Sequence, residues 1–221
     1  MVIGNYKEQD FEEHIEAYLL ATGYERKMPE DYDKSLCLIP QEAIDFIKAT
    51  QPKAYKNLEK QYGEDTRQKV LERISLLITR HGSLFVLRKG VKILGEKLSL
   101  AYFNPASGMN PEHQKLYGQN RFSIVRQLKY SKRNENSIDI ALFLNGLPIV
   151  TAELKNSLTG QQVENAINQY KFDRNPQGEP LLAFERCLVH FAGSSSRPRR
   201  RSILRARVFL MLRRHTHVLR S

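Results

Sequence analysis

The chain has 221 residues, of which 41% are hydrophobic and 27% are charged, a composition typical of a globular protein with one domain of ordinary size. No run of about 18 apolar residues occurs and the first residues are charged, so we expect neither a membrane span nor a secretory signal. The two cysteines, Cys37 and Cys187, lack metal-type spacing and predict reduced thiols in a cytoplasmic protein.

The net charge of +11 suggests a nucleic-acid partner, but it is unevenly distributed. Residues 193–221 contain nine arginines, no lysine and no acidic residue, which leaves only +2 for residues 1–192. The global charge therefore says little about the body of the chain. We interpret residues 193–221 as a basic tail of frameshifted or otherwise non-native origin, with a DNA-gripping arm as the alternative.

The first 82 residues carry helical periodicity. Apolar residues recur at helical spacing, and glycine or proline marks the ends. The predicted helices cover residues 6–21, 40–50, 54–62 and 65–80.

The pattern then changes to short apolar and alternating runs. Strands are predicted over residues 83–89, 92–94, 98–103, 121–130 and 187–192, with a loop over 104–118, a hairpin over 137–156 and a helix over 160–173. This order predicts an α+β (mixed α/β) fold, with a largely antiparallel mixed sheet flanked by helices. We expect one domain over residues 1–192, helical over 1–82 and with the functional sheet over 83–192.

The stretch from Ser137 to Ser157 is where we expect the chemistry. Two β-rich runs flank the turn signal Asn145-Gly146. The first run carries Asp139, and the second carries Glu153 and Lys155. Two such acids offer hard oxygen ligands suited to Mg²⁺, which lowers the pKa of bound water. A lysine beside them adds a cation near that water or a phosphate.

Convergence of the two acids depends on the register of the hairpin. Side chains alternate along a strand, so a strict two-residue turn would pair Asp139 with Ala152 and place Asp139 and Glu153 on opposite faces. An odd-length loop or one β-bulge reverses this parity. A metal site therefore predicts such an irregularity in the hairpin.

The spacing of Glu153 and Lys155 alone is weak support, because Glu25 and Lys27 have the same spacing in a polar segment. The structural alternative is a solvated face of an edge strand. The acid on the preceding strand and the helix predicted afterwards favour the functional interpretation.

Longer runs carry a family resemblance. Residues 120–130 (N-R-F-S-I-V-R-Q-L-K-Y) and 137–156 (S-I-D-I-A-L-F-L-N-G-L-P-I-V-T-A-E-L-K-N) resemble the N-terminal nuclease region of the R subunit of type I restriction enzymes, within the PD-(D/E)xK nuclease superfamily. The similarity extends back to the F-E-x-x-I run at Phe11. It implies a restriction-endonuclease-like core.

By this resemblance Asp139 and Glu153 are metal ligands, Lys155 is the catalytic lysine, and the Leu154 carbonyl is a further possible ligand. Ile138 replaces the proline that the superfamily has before its Asp. Gln169 matches the start of the family's Q-x-x-x-Y element and is a candidate DNA-binding or auxiliary residue.

At the Tyr position of that element this chain has Asp173. Some relatives also bring an acid from the first helix to the metal. Here Glu12 is the corresponding residue, and we interpret it as an exposed acid.

The resemblance implies a Mg²⁺-dependent DNA endonuclease (a hydrolase). Its partners would be double-stranded DNA and the specificity and methyltransferase subunits of a restriction-modification complex. ATP would serve only a motor region that this sequence does not include. The alternative is a non-catalytic DNA-binding or subunit-docking module of the same complex.

Overall fold

The computed structural model describes residues 5–105, 110–156, 178–183, 185–196, 203–212 and 215–219. The α-helices in these ranges are α1 Asn5–Ala21, α2 Pro40–Thr50, α3 Pro52–Tyr62, α4 Thr66–His81, α5 Ser83–Lys89 and α6 Pro111–Tyr117. The first four confirm the predicted helices, with ends that differ by two residues at most. The helix predicted over 160–173 lies outside the described residues.

The strands of the described part are β1 Glu25–Arg26, β2 Val91–Ile93, β3 Glu96–Leu98, β4 Phe122–Lys129, β5 Ser137–Leu144, β6 Leu147–Asn156, β7 Val189–Ser196, β8 Ile203–Leu212 and β9 His215–Leu219. All except β2 and β3 form one sheet, in the order β1-β4-β5-β6-β7-β8-β9. The β1–β4 and β6–β7 pairs are parallel and the other pairs are antiparallel. This arrangement confirms the predicted α+β class with a mixed sheet.

The strands β8 and β9 extend the sheet beyond β7, within the arginine-rich segment. The structure therefore places ladder-forming backbone in residues 203–212 and 215–219, where the sequence analysis expects only a basic tail. Whether this segment is native stays a prediction, as does the boundary of the domain at residue 192.

The strand predicted over residues 83–89 is wrong, because this segment is helix α5. Gly82 and Gly90, both with positive φ, flank the helix. The buried residues Ser83, Val86 and Leu87 follow helical spacing. A short apolar run fits a strand or a buried helical turn equally well, so local composition misassigned it.

The strand predicted over residues 98–103 is also wrong beyond Leu98, where β3 ends. Side-chain amides take the backbone hydrogen bonds that a neighbouring strand would otherwise make. Gln51 bonds to both the N–H and the carbonyl of Ser99. Asn120 does the same for Tyr102. Extended backbone can thus be satisfied without a ladder.

The loop predicted over residues 104–118 contains helix α6. Asn110 caps the helix by accepting a hydrogen bond from the His113 N–H, and Pro111 occupies the first turn. These are ordinary start signals, which the density of turn-forming residues around them obscured.

The apolar core lies on both sides of the sheet. Helix α1 packs Phe11 and Ile15 against Ile124 of β4, Ile140 of β5 and Leu154 of β6. A larger cluster joins helices α2 to α5 with β2, β3 and Leu147 at the start of β6, and its central members are Phe46, Ile47, Leu58, Val70, Leu71, Ile74 and Ile78. The central hairpin is thus held between α1 and the helical half of the chain.

Among the described residues, no helix combines the length and the apolar character that crossing a membrane requires.

Candidate functional site

The β5–β6 hairpin has a two-residue turn and a bulge directly after it. Asn145 and Gly146 both have positive φ, and Leu144 pairs with Leu147 across the turn. Phe143 then pairs with Pro148, whereas Leu142 pairs with Val150. Ile149 is therefore the extra residue of a β-bulge.

The bulge also connects β6 to its other neighbour, because the carbonyl of Ile149 accepts a hydrogen bond from the backbone N–H of Leu188. Below the bulge, Ile140 pairs with Ala152. One step further in this register, Asp139 lies opposite Glu153 and not opposite Ala152. The predicted break in parity is confirmed.

Helix α2 holds the turn in place. The buried Glu42 carboxylate accepts hydrogen bonds from the Gly146 N–H at 2.9 Å and from the Ser123 hydroxyl at 2.8 Å. The Asn145 side chain donates to the Leu100 carbonyl and accepts from the Arg121 N–H. Since both residues of the turn are bonded to distant segments, the starting register of the hairpin is fixed from outside the sheet.

The carboxylate of Asp139 lies against strand β6. Its Oδ2 accepts a hydrogen bond of 2.6 Å from the backbone N–H of Leu154, the residue between Glu153 and Lys155. Its Oδ1 accepts a 3.1 Å hydrogen bond from Gln127 Nε2. The structure thus brings Asp139 to the segment that carries the other two predicted site residues.

Glu153 and Lys155 interact with each other. Glu153 is only 2% exposed, and the Lys155 Nζ lies 3.7 Å from its Oε1. A buried carboxylate beside a lysine is not the solvated edge-strand face of the structural alternative. By contrast, Glu25 and Lys27, which share the spacing, form an exposed pair.

Glu12 of α1 is buried at 3% exposure, so its interpretation as an exposed acid is wrong. Its Oε1 accepts a 2.8 Å hydrogen bond from Gln127 Nε2, and its Oε2 lies 3.3 Å from Arg126 Nε. Burial and then the charge of Asp139 raise the pKa of the Glu12 carboxyl, against the lowering effect of its bonds to Gln127 and Arg126. Glu12 is therefore an electrostatic neighbour of Asp139.

Gln127 connects the two acids through an unusual backbone geometry. It lies between the Arg126–Ile140 and Leu128–Ile138 pairs of the β4–β5 ladder, and its φ of 48° is rare for a strand residue. Its Nε2 reaches both carboxylates, while its Oε1 accepts from the Ser137 hydroxyl. A strained residue at a polar centre is typical of functional sites.

Arg126 and Arg26 balance the acids of helix α1. Arg126 Nη1 lies 3.2 Å from Glu16 Oε2, and Arg26 Nε lies 2.7 Å from Glu16 Oε1. These contacts tie α1 to β1 and β4. The sequence signal for this network is the acid pair Glu12 and Glu16, one turn apart beside the apolar residues Phe11 and Ile15, since acids next to a core-facing stripe need buried partners.

The remaining candidates carry less structural information. Gln169 and Asp173 lie outside the described residues. Ile138, at the position of the superfamily's proline, is fully buried in a cluster with Leu128 and Phe143. Within the described ranges, no group of three or more His, Cys, Asp or Glu side chains is arranged to hold a metal.

Comparison with known families decides the assignment. The chain matches the family described as the type I restriction enzyme R protein N terminus over residues 5–197. The chain belongs to this family. The match to the R protein N terminus confirms the resemblance found in the sequence, and it includes every site residue discussed above. A comparison with curated proteins finds no significant match.

Proposed function

We propose that this R protein N-terminal domain is a Mg²⁺-dependent DNA endonuclease that hydrolyses phosphodiester bonds. The observation that supports this most directly is the bulge at Ile149, which sets the carboxylate of Asp139 against Leu154, between Glu153 and Lys155. A regular two-residue hairpin would have separated Asp139 from Glu153. The family assignment makes a nuclease-related role the natural context for these residues.

The donor set fits Mg²⁺. Asp139 and Glu153 offer carboxylate oxygens, and Mg²⁺ is commonly bound by one or two carboxylates together with water and substrate phosphate. Glu12 adds negative charge beside Asp139, and its raised pKa reflects the cost of ionising it there. A bound cation would offset that cost, since opposite charge favours the ionised form.

In this proposal each residue of the chain has a distinct task. Asp139 and Glu153 would hold the metal, which when bound supplies an activated water and stabilises charge on the phosphate. The Leu154 N–H and the Gln127 amide orient Asp139. The Lys155 ammonium, already beside Glu153, would donate a hydrogen bond to the attacking water or to a phosphate oxygen.

The family also supplies the proposed partners. We infer that the domain works within a restriction-modification complex on double-stranded DNA, with a specificity subunit and a methyltransferase subunit. ATP would serve a motor region outside this sequence. Gln169 keeps its proposed auxiliary or DNA-binding role.

A second candidate is a non-catalytic DNA-binding or subunit-docking module of the same complex. It is favoured by the absence, within the described part of the chain, of any three-residue metal cluster. It is also favoured by the hydrogen bonds that already occupy both oxygens of Asp139. Such bonds can make a carboxylate purely structural.

Mg²⁺ binding separates the two candidates without requiring the motor. Calorimetric titration of the whole chain with Mg²⁺ should show a site that Asp139→Ala removes. Glu25→Ala is the matched control, because Glu25 belongs to the exposed pair with the same spacing. Equal Mg²⁺ affinity in wild type and Asp139→Ala would exclude the proposed metal site.

Cleavage is tested on supercoiled DNA with and without Mg²⁺. Lys155→Ala should lower the nicking rate by about 100-fold or more while leaving Mg²⁺ affinity nearly unchanged, since the lysine acts on the reaction and not on the metal. Nicking by Lys155→Ala at the wild-type rate would contradict its role.

A further inference from the structure

Two buried charged side chains outside the acidic site each have an atom without a hydrogen-bond partner. Arg186 is 4% exposed and Glu179 is 7% exposed. Arg186 Nη1 and Glu179 Oε2 are both inaccessible and make no hydrogen bond. Burying part of a charged group without a partner is costly, so unsatisfied atoms of this kind point to a missing binding partner.

Arg186 and Glu179 line the same cavity, which has a volume of about 280 Å³. Helix α4 forms one wall through Ile78 and Thr79, and Pro180 contributes to another. No residue of the acidic site lines it. The cavity is at the lower end of the size range of ligand sites, so it suits a small molecule.

The other half of each charged group is already held. Arg186 Nη2 donates to the Thr79 hydroxyl at 3.2 Å, and Glu179 Oε1 accepts from the Ser131 hydroxyl at 2.6 Å. None of the ion pairs found among the described residues joins Arg186 to Glu179. The guanidinium and the carboxylate are therefore positioned separately, each with one free hydrogen-bonding atom.

We propose that this cavity binds a small zwitterion of about the size of an amino acid. The free N–H of Arg186 requires an acceptor, for which a carboxylate is the best match. The free oxygen of Glu179 requires a donor, for which an ammonium group is the best match. Ile78 and Pro180 provide apolar surface for a short aliphatic part between the two ends.

The probes are the standard protein amino acids, each tested for its effect on the thermal unfolding of the whole 221-residue chain. Acetate, ethylammonium and inorganic phosphate serve as ligands that satisfy only one of the two charges. A ligand that binds the folded state raises the melting temperature in a concentration-dependent manner. At least one amino acid should do so at concentrations where the three partial ligands do not.

Glu179→Gln tests the contact itself. It keeps an oxygen for the Ser131 hydroxyl but removes the charge that would hold an ammonium, so the affinity for the amino acid should fall about tenfold or more. Arg186→Lys serves as the second variant and should weaken binding through the carboxylate end. Glu135→Gln is the matched control, since Glu135 pairs with Lys129 at the surface and does not line the cavity.

Three outcomes would overturn the proposal. No amino acid stabilises the chain, which would mean that the cavity holds only water. Phosphate or acetate stabilises it as well as any amino acid does, which would mean that the donor site at Glu179 is unused. An amino acid stabilises wild type, Glu179→Gln and Arg186→Lys equally, which would place its binding elsewhere.

Discussion

At the scale of single residues, the site depends on carboxylates whose charge is balanced by specific neighbours. Glu12 has Arg126 and Gln127 on one side and the charge of Asp139 on the other. The net effect, with burial as the largest contribution, is a raised pKa for the Glu12 carboxyl. Neutral Glu12 is thus better accommodated in the folded protein than ionised Glu12.

This balance predicts how stability depends on pH. A carboxyl whose pKa is higher in the folded state contributes its full stability below its unfolded pKa, near the ordinary value of 4.5, and that contribution disappears as pH rises through the folded pKa. Relative to wild type, Glu12→Gln should therefore become more stable as pH rises above about 4.5. Urea unfolding of both proteins from about pH 4 to about pH 8 measures this difference.

The control for this experiment is Glu13→Gln, which removes an exposed acid from the same helix. If Glu12→Gln instead becomes less stable than wild type as pH rises, the ion pair with Arg126 outweighs burial and the charge of Asp139.

Gly146 gives a second prediction at the residue scale. A Cβ at this position would lie 2.5 Å from the Ile39 carbonyl oxygen and 2.8 Å from the Ala43 nitrogen, and its φ is 78°. Gly146→Ala should lower the free energy of unfolding by about 2–5 kcal/mol, from the left-handed backbone and the clash together. Chemical denaturation measures the change.

Gly95→Ala separates the two contributions. Gly95 has a similar φ of 84° but open space around its Cβ position, so its substitution should cost only about 1 kcal/mol. Equal destabilisation at Gly95 and Gly146 would show that helix α2 does not restrict the turn.

At the scale of elements, helix α5 shows where local pattern and tertiary structure diverge. In a strand, Leu84 and Val86 would share a face, but here Leu84 is 48% exposed and Val86 is fully buried. Val86→Ala should therefore cost about 2–3 kcal/mol, whereas Leu84→Ala should change stability by less than about 0.5 kcal/mol. Comparable destabilisation at both positions, measured by thermal or urea unfolding, would contradict the helical assignment.

The sequence was informative where a single element determines the outcome. Helical periodicity placed α1 to α4, and strand alternation placed β4 and the central hairpin. The need for a break in parity was also predictable, because it follows from the side-chain alternation of strands. Its position at Ile149 was not, since it depends on the hydrogen bond of that residue with Leu188, just before β7.

Partners that come from distant parts of the chain were not predictable. The apolar face of α1 is visible in the sequence, but nothing there shows that Glu12 meets Gln127 and Asp139 across the sheet. For the same reason, the side-chain bonds of Gln51 and Asn120 that replace a strand after Leu98 could not be foreseen.

At the scale of the whole molecule, the charge of the chain and the candidate chemistry lie in different segments. Residues 193–221 carry nine arginines, while the acidic site lies in the nearly neutral remainder. If the tail is non-native, a chain ending at residue 196 should bind DNA with the same dependence of log affinity on log salt as the whole chain. A DNA-gripping arm would instead make the slope of the whole chain steeper by about one for each phosphate that the arm neutralises.

The bulge at Ile149 has a consequence for how this hairpin can change in length during evolution. Adding or removing one residue between Asp139 and Glu153 inverts every side chain of one strand relative to the other, whereas adding or removing two preserves their orientation. Among family members that keep both acids, we therefore expect the interval between them to differ by even numbers of residues. Odd intervals should occur only where a second bulge has been inserted or this one has been removed.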